Sequence, residues 1–516
     1  MYINYQFIFQ QILMRVAPCF INMKKLFVTC IVCFIMQSFL FSKDYNIVSF
    51  GAVPDGRTLN TTAIQAAVDN AYKDGGGRVI IPAGRFLSGS IVLKSGVELH
   101  LLENAILLGS TNPADYIKIN RWKGLVMADG QKDIAISGKG ILDGQGRRLA
   151  LNIDSLFYIG QIDSSQYTFP EMRPKEYLRP QIIEFVKCKN IMITGVTIKN
   201  AASWVQTYDQ CENLIIDSIR VVSDAYWNND GIDIVDCKNV RITNSYFDSA
   251  DDGICLKSLH RANFCDSIYI ANCTVRSSAS AIKLGTSSYG GFKNVVIENI
   301  KIFDTFRSAI AIESVDGGIL ENILIDNIEA VNTGNAIFIR LGKRRRNKKG
   351  AVGKLENVIL RNIKVEVSFE RPDYAYEIRG PELPFFHNIF PSSITGIPGH
   401  HIKNVTLENI EIIYPGRGNN GLANMPLSRL EEVPEQEEEY PEFSMFGELP
   451  AWGFYVRHVD GLTMKNIKIT IKEPDYRAAL VFDDVKNLNI QSIHVVGDEK
   501  ANHIILNNVE DVEIED

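Results

Sequence analysis

Lys189 to Gly195 reads KNIMITG, a polar pair followed by alternating residues rich in isoleucine, and the phrase returns along the chain. It recurs as ENLIIDS from Glu212, KNVRITN from Lys238, DSIYIAN from Asp266, KNVVIEN from Lys293 and ENILIDN from Glu321. It continues as ENVILRN from Glu356, KNVTLEN from Lys403 and KNLNIQS from Lys486. The second residue of the phrase stands at 190, 213, 239, 267, 294 and 322, so it advances by 23, 26, 28, 27 and 28 residues. Each interval holds short strands of period two and no helical period. Short strands stacked at such a period form a solenoid, whose coils bury their apolar faces only against one another. A propeller needs a repeat of roughly 40 residues. The expected fold is therefore all-β, a right-handed parallel β-helix.

Upstream, Thr61-Thr62 precedes AIQAAVDNAYKDGGG, whose apolar spacing is helical. Threonine is a good N-cap and Gly75 to Gly77 end the helix. A short helix there is expected to cap the N-terminal end of the solenoid, where unpaired edges are otherwise exposed. Further upstream, Met23-Lys24-Lys25 precedes an apolar run from Leu26 to Phe41, then Ser42 and Lys43-Asp44. That is the layout of a secretory signal peptide. Residues 1–42 are set aside as that signal region, with Met23 as the expected true start. Residues 43–516 are read as one β-helix domain, periplasmic or extracellular and free of the membrane after cleavage.

Nine cysteines occur, three of them inside the leader (Cys19, Cys30, Cys33). Cys188, Cys211, Cys237, Cys255, Cys265 and Cys273 remain, and none forms a CxxC pair, so no metal site is assigned. Cys188, Cys211 and Cys237 each stand two residues before the repeat asparagine. They should stack in one column as small hydrophobes rather than form disulfides. The later intervals (322 to 357, 357 to 404, 404 to 461) are long, so loops leave the coils there. One of these, RLEEVPEQEEEYPE from Arg429, is strongly acidic. The net charge of -7 and the 22% charged residues give no nucleic-acid footprint. The basic run KRRRNKK from Lys343 is short and reads as a solvated loop.

The chemistry emerges when the strands after the phrase are aligned. Asp230-Gly-Ile-Asp-Ile, Asp252-Gly-Ile-Cys-Leu, Ser280-Ala-Ile-Lys-Leu, Ser308-Ala-Ile-Ala-Ile and Asn335-Ala-Ile-Phe-Ile share an isoleucine: Ile232, Ile254, Ile282, Ile310, Ile337. That register sets Asp252 above Asp230 and Asp251 above Asn229, on strands about 4.8 Å apart. Crowded carboxylates raise one another's pKa. Acid–base catalysis uses that splitting, with one carboxyl protonated and another ionised. For Asp230 alone an Asp-Gly turn explains the residue equally well; the stacked pair Asp251-Asp252 is what points to catalysis.

At these residues the chain resembles glycoside hydrolase family 28, the polygalacturonase family. Asn228-Asn229-Asp230 looks like its Asn-Thr-Asp motif, and Asp251-Asp252 in DDGICLKS matches its Asp-Asp pair. FGAVPDGRTLNTTAIQAAVD from Phe50, GKGILDGQG from Gly138 and RPQIIEFVKCKNIMITGVTIKNAASW from Arg179 are also similar. The resemblance spans roughly residues 47–514. It implies inverting hydrolysis of an α-linked pectic backbone, galacturonan or rhamnogalacturonan, with no cofactor. Asp251 would be the general acid, while Asp230 and Asp252 would activate water.

Two departures bear on substrate. Ala279-Ser280-Ala281 stands where the family carries Gly-His-Gly, and Ala311-Ile312-Glu313 where it carries Arg-Ile-Lys. Loss of two cations and gain of Glu313 argue against a galacturonate there, as does the acidic loop; rhamnogalacturonan or a decorated pectic oligosaccharide is expected. Lys257, Lys283, Arg307 and Arg340 are candidate replacement cations. Asn228, Asn229, Ser280, Glu313 and Trp204 complete the expected substrate-binding set, with Tyr226 and Trp227 as further aromatics. A polysaccharide lyase, a non-catalytic carbohydrate-binding β-helix and a degenerate hydrolase are the rival readings. The expected partner is a pectic polymer or oligosaccharide, met by a monomer.

Overall fold

The computed structural model describes residues 43–347, 350–376, 389–419, 427–500 and 503–515, the side chain of Pro170 excepted; the leader lies outside them. The chain winds as a right-handed parallel β-helix. Each coil contributes to three parallel sheets. Lys189–Thr194, Glu212–Asp217 and Lys238–Thr243 stack in the first. Thr197–Lys199, Arg220–Ser223 and Tyr246–Ser249 stack in the second. Gln206–Asp209, Ile232–Val235, Ile254–Ser258 and Ile282–Ser288 stack in the third.

The register follows the side-chain alternation. Ile232 pairs with Ile254, Ile254 with Ile282, Ile282 with Ile310 and Ile310 with Ile337, and all five are buried. Each such side chain contributes about 1.5–3 kcal/mol by leaving water. A slip of one residue would turn the whole column outward. The corners repeat as well. Asn190, Asn213, Asn239, Asn294, Asn322, Asn357 and Asn404 all adopt φ between 53° and 58°, or 59° at Asn322, the left-handed region where asparagine is tolerated best. The six cysteines among the described residues are free and buried. The Cys211 amide donates to Cys237 Sγ at 3.3 Å, as a common column requires.

Helix α1 (Thr61–Lys73) packs Ile64, Ala67, Val68 and Ala71 onto the first coils. Its N-cap is Asn60 rather than a threonine, and Asn60 makes no side-chain cap bond. The Asn60 amide is occupied instead by the Val53 backbone and the Thr58 carbonyl. Thr61 Oγ1 accepts from the Gly89 amide at 2.8 Å and ties the helix to the coil beneath. A second helix, α2 (Gly146–Tyr158), is absent from the sequence reading. It leaves the solenoid after Gln145 and returns Asp154 beside Tyr226, with the phenol 3.4 Å from Asp154 Oδ2.

Along the third sheet the outward column changes character. It runs Asp233, Cys255 and Lys283, then Ala311, Phe338, Ser393, Tyr455 and Val481. The apolar end receives Leu430 and Val433 from the acidic loop and Phe443, Phe446 and Leu449 from the segment that follows it. The charged end stays uncovered by that cluster, and there the aspartates gather.

Candidate active site

Asp230, Asp251 and Asp252 sit at the corner that opens the third sheet. The Gly231 amide donates to the Asp252 carbonyl at 2.8 Å, and the Asp251 amide to the Asn229 carbonyl at 3.3 Å. These bonds set the two coils in the register read from the sequence. Carboxylate oxygens of Asp230 and Asp252 lie within 4.8 Å of each other. Asp230 and Asp252 are buried, and Asp251 is half-buried.

Such a stack needs cations. Lys257 Nζ donates to Asp230 Oδ2 at 2.6 Å and, in a shorter bond, to Asp233. The same ammonium lies 4.1 Å from the centre of the Trp204 ring. Lys283 Nζ is 3.1 Å from Asp252 Oδ2 and 3.4 Å from the Tyr440 hydroxyl. Arg307 pairs with Glu442 at 2.7 Å. The Ser280 amide adds a 3.2 Å bond to Asp252 Oδ1, and Asp251 Oδ1 accepts from the Asp252 amide at 3.0 Å.

Three cations thus face the carboxyls of Asp230, Asp233, Asp251, Asp252, Glu313 and Glu442. The balance cannot close with every acid ionised. Burial, assisted by Glu442 and Asp252, pushes Glu313 up to about 7 against the pull of Lys283. Burial likewise pushes Asp233 up to about 6, although Lys257 opposes it. Burial and then the Asp252 charge raise Asp251. Burial would raise Asp252 as well, but Lys283, Lys257 and Arg307 together outweigh it and hold that carboxyl below its ordinary range. Neighbouring carboxyls in sequence are therefore pushed in opposite directions. Asp230 is raised, by burial first and by its neighbours Asp233, Asp251 and Asp252, against Lys257.

Residues 75–372 match the family model "Glycosyl hydrolases family 28". The chain belongs to glycosyl hydrolases family 28. A probable polygalacturonase of Vitis vinifera is 25% identical over 392 residues, covering 71% of this chain and 69% of that one. The exo-poly-alpha-D-galacturonosidase of Dickeya chrysanthemi is 29% identical over 301 residues, half of each chain (50% and 50%). A family 28 exopolygalacturonase structure from Yersinia enterocolitica superposes with a TM-score of 0.57 at 19% identity, over 92% of this chain and 79% of that one, a likeness of fold. Family 28 membership makes the chain a glycoside hydrolase, so neither the lyase nor the non-catalytic reading is carried further.

Within this family 28 site the sequence-selected residues are not all placed alike. Lys257, Lys283 and Glu313 converge on the aspartates. Asn228 stands at the rim, its Oδ1 accepting from Arg179 at 2.8 Å and its Nδ2 3.5 Å from Asp251 Oδ2. Asn229 is fully buried and bonded to Ser223, Ser203 and the Tyr226 amide, so it shapes the corner and cannot reach a ligand. Ser280 acts through its amide. Trp204 is buried between Lys257 and Trp122, whose ring centre is 5.6 Å away, so one face is closed to a sugar.

Arg340 lies elsewhere. It is buried and donates to Thr395, the Gly396 carbonyl and the Glu435 and Gln436 carbonyls, anchoring the acidic loop. That loop is not a free anionic wall. Glu435 pairs with Arg457, Glu438 and Glu439 with Arg345, and Glu442 with Arg307. The run beginning KRRR, expected as a solvated loop, supplies part of this grip, with the Lys343 amide donating to the Glu437 carbonyl. Repulsion of a polyanionic substrate by the loop therefore loses its footing.

Asp233, Arg179, Tyr440 and Glu442 were missed. Asp233 shares an outward column with Lys283, so the alternation of DGIDI held that signal. Tyr440 and Glu442 reach the site from a loop far along the chain, and no local pattern announces them.

Proposed function

We propose that the chain hydrolyses an α-glycosidic bond of a pectic polysaccharide or oligosaccharide, with inversion. The convergence of Asp230, Asp251 and Asp252 at one corner, with Lys283 3.1 Å from Asp252 Oδ2, carries this reading, and the opposite displacement of Asp251 and Asp252 agrees with it. Asp251, its carboxyl raised toward the protonated form, gives its proton to the departing glycosidic oxygen as the carbon–oxygen bond breaks. Asp252, held ionised by Lys283, takes a proton from the water that attacks the anomeric carbon on the opposite face. Asp230, fixed by Lys257, flanks that water. The positive charge developing on the sugar ring is met by the anionic carboxylate beneath it.

For substrate, the three cations that face the aspartates, Lys257, Lys283 and Arg307, each already have a carboxylate partner within the protein. A uronate beside Asp252 would have to displace Glu442 or compete with Glu313. We therefore favour a ring without a carboxylate at this position, as rhamnogalacturonan offers. The names of the relatives favour galacturonan instead, and one assay separates the two. A cleft of about 330 Å³ beside Arg179, lined by Trp122, Glu171, Arg173 and Tyr177, gives further sugar units an aromatic and cationic wall. The apolar leader supports export of the chain.

The test is product analysis for the parent and Asp251→Asn on homogalacturonan, rhamnogalacturonan and their oligosaccharides. Saturated sugars from rhamnogalacturonan, released first as the inverted anomer by the parent alone, are expected. Galacturonic acid from homogalacturonan would overturn the substrate preference. Silence on every pectic substrate, or equal activity in the variant, would overturn the reading itself.

A further inference from the structure

Away from the aspartates, three coils carry another constellation. His401, His458 and Asp484 immediately precede Ile402, Val459 and Val485, which pair in register, so the three stand in one column at one corner. His401 Nε2 lies 3.0 Å and His458 Nδ1 2.6 Å from the same oxygen, Asp484 Oδ2. One ligand atom from each residue falls within 4.8 Å of the other two. The imidazole rings meet edge to face, 5.9 Å between centres. Two neutral imidazoles and a carboxylate are the donor set that divalent transition metals take.

A second feature points the same way. The far nitrogen of His458, Nε2, faces both carboxylate oxygens of Glu435 at 3.1 Å. A carboxylate behind a metal-bound imidazole fixes its tautomer and ring orientation. His458 is buried, while His401 and Asp484 are half-buried, so one side of the cluster stays open to a water ligand. The other clusters of this kind among the described residues fare worse. Asp209, Asp236 and His260 include an aspartate already occupied by Ser258 and the Leu259 and His260 amides. Asp230, Asp252 and Cys255 belong to the hydrolase site and hold lysines.

We propose that His401, His458 and Asp484 bind one divalent transition-metal ion of the zinc class, with Glu435 supporting His458 from behind. Nothing in the local sequence signals this site, because its ligands are separated by whole coils and a long loop. The ion's place gives it a task. Glu435 also pairs with Arg457 at 2.9 Å and receives Arg340 on its carbonyl. From Glu435 the chain runs directly to Tyr440 and Glu442 at the carboxylate cluster. A metal that fixes His458 therefore braces the segment that delivers both residues.

Calorimetric titration of the chelator-treated full chain with zinc chloride near neutral pH tests this directly. One saturable ion per chain is expected. Asp484→Asn and His458→Asn should each abolish it, and Glu435→Gln should weaken it by about 10–100-fold. Should those variants fold poorly, cobalt(II) added to the parent gives an independent readout: the visible bands of a four- or five-coordinate nitrogen–oxygen site are expected. No saturable site in the parent, a cobalt spectrum identical to the hexaaqua ion, or undiminished binding in a folded His401→Gln/Asp484→Asn double variant would overturn the proposal.

Discussion

The asparagine columns at one set of corners and the aspartate column at the mouth of the third sheet are built on the same coils and the same spacing, yet they behave oppositely. Along stretches of the asparagine columns an amide donates to the carbonyl oxygen of its neighbour: Asn213 to Asn190 at 2.9 Å, Asn299 to Asn272 at 3.2 Å, Asn327 to Asn299 at 2.8 Å, Asn466 to Asn409 at 2.8 Å. Elsewhere, as at Asn294 over Asp266 and Asn362 over Asp326, it donates to a single aspartate. A neutral side chain that both donates and accepts is satisfied by its own copy, so the column extends without outside help. Ionised aspartates only accept, and stacking them adds repulsion. Their column stops after two coils, gives way to Ser280, and recruits Lys257, Lys283 and Arg307. One stack is self-sufficient scaffold; the other is held together by imported charge, and its unequal sharing sets the carboxyls apart.

The contrast can be broken at several points. Asp251→Asn should lower kcat by about 10²–10⁴-fold, the usual worth of a general acid, while leaving the thermal midpoint nearly unchanged or higher; equal activity would remove Asp251 from the mechanism. Lys257→Met should cost about 3–5 kcal/mol in denaturant unfolding, because it strands buried Asp230 and Asp233 without their shared cation. A loss under about 1 kcal/mol would show that the two acids had already neutralised themselves. Asn299→Ala, in the exposed ladder, should cost only about 1–2 kcal/mol through two lost hydrogen bonds and a left-handed φ of 59°. Asn299→Gly should recover part of that, since glycine keeps the backbone but not the bonds. Hydrolytic activity should be unmoved in both.

The same contrast governs what was readable from sequence. Whatever repeats can be read: the asparagine phrase carries the coil length, the alternation carries the isoleucine register, and that register by itself places Asp252 over Asp230. The cysteine column followed from the same spacing. Whatever interrupts the repeat was harder. Helix α2 carries Leu149, Ala150 and Ile153 on one face, a helical signal lost among strand phrases because it is a single insertion. Arg340 sits in register beside Glu313, and only the loop that it grips shows why it faces away from the aspartates. Partners delivered by long loops, Glu442 for Arg307 and Tyr440 for Lys283, depend on where the loop lands. Its landing is set by an apolar patch from Ala311 to Val481, which the sequence scatters over five coils.

On the proposed mechanism, Lys283 separates Asp252 from Asp251 and thereby makes one the base and the other the acid. The pH dependence of kcat/KM for the parent and for Lys283→Met measures it most directly. Asp252 must be ionised and Asp251 protonated, so the parent should give a bell. Its acid limb should fall below the ordinary carboxylate range near about 4 and its basic limb above it. Removing the ammonium raises Asp252, so that its base form is lost earlier as pH falls. Asp251 rises too, but Lys283 is the foremost cation on Asp252 and only a lesser one on Asp251, so the acid limb should move up further than the basic limb and the bell should narrow. An acid limb that stays in place in an active Lys283→Met enzyme would mean that Lys283 does not hold Asp252 ionised.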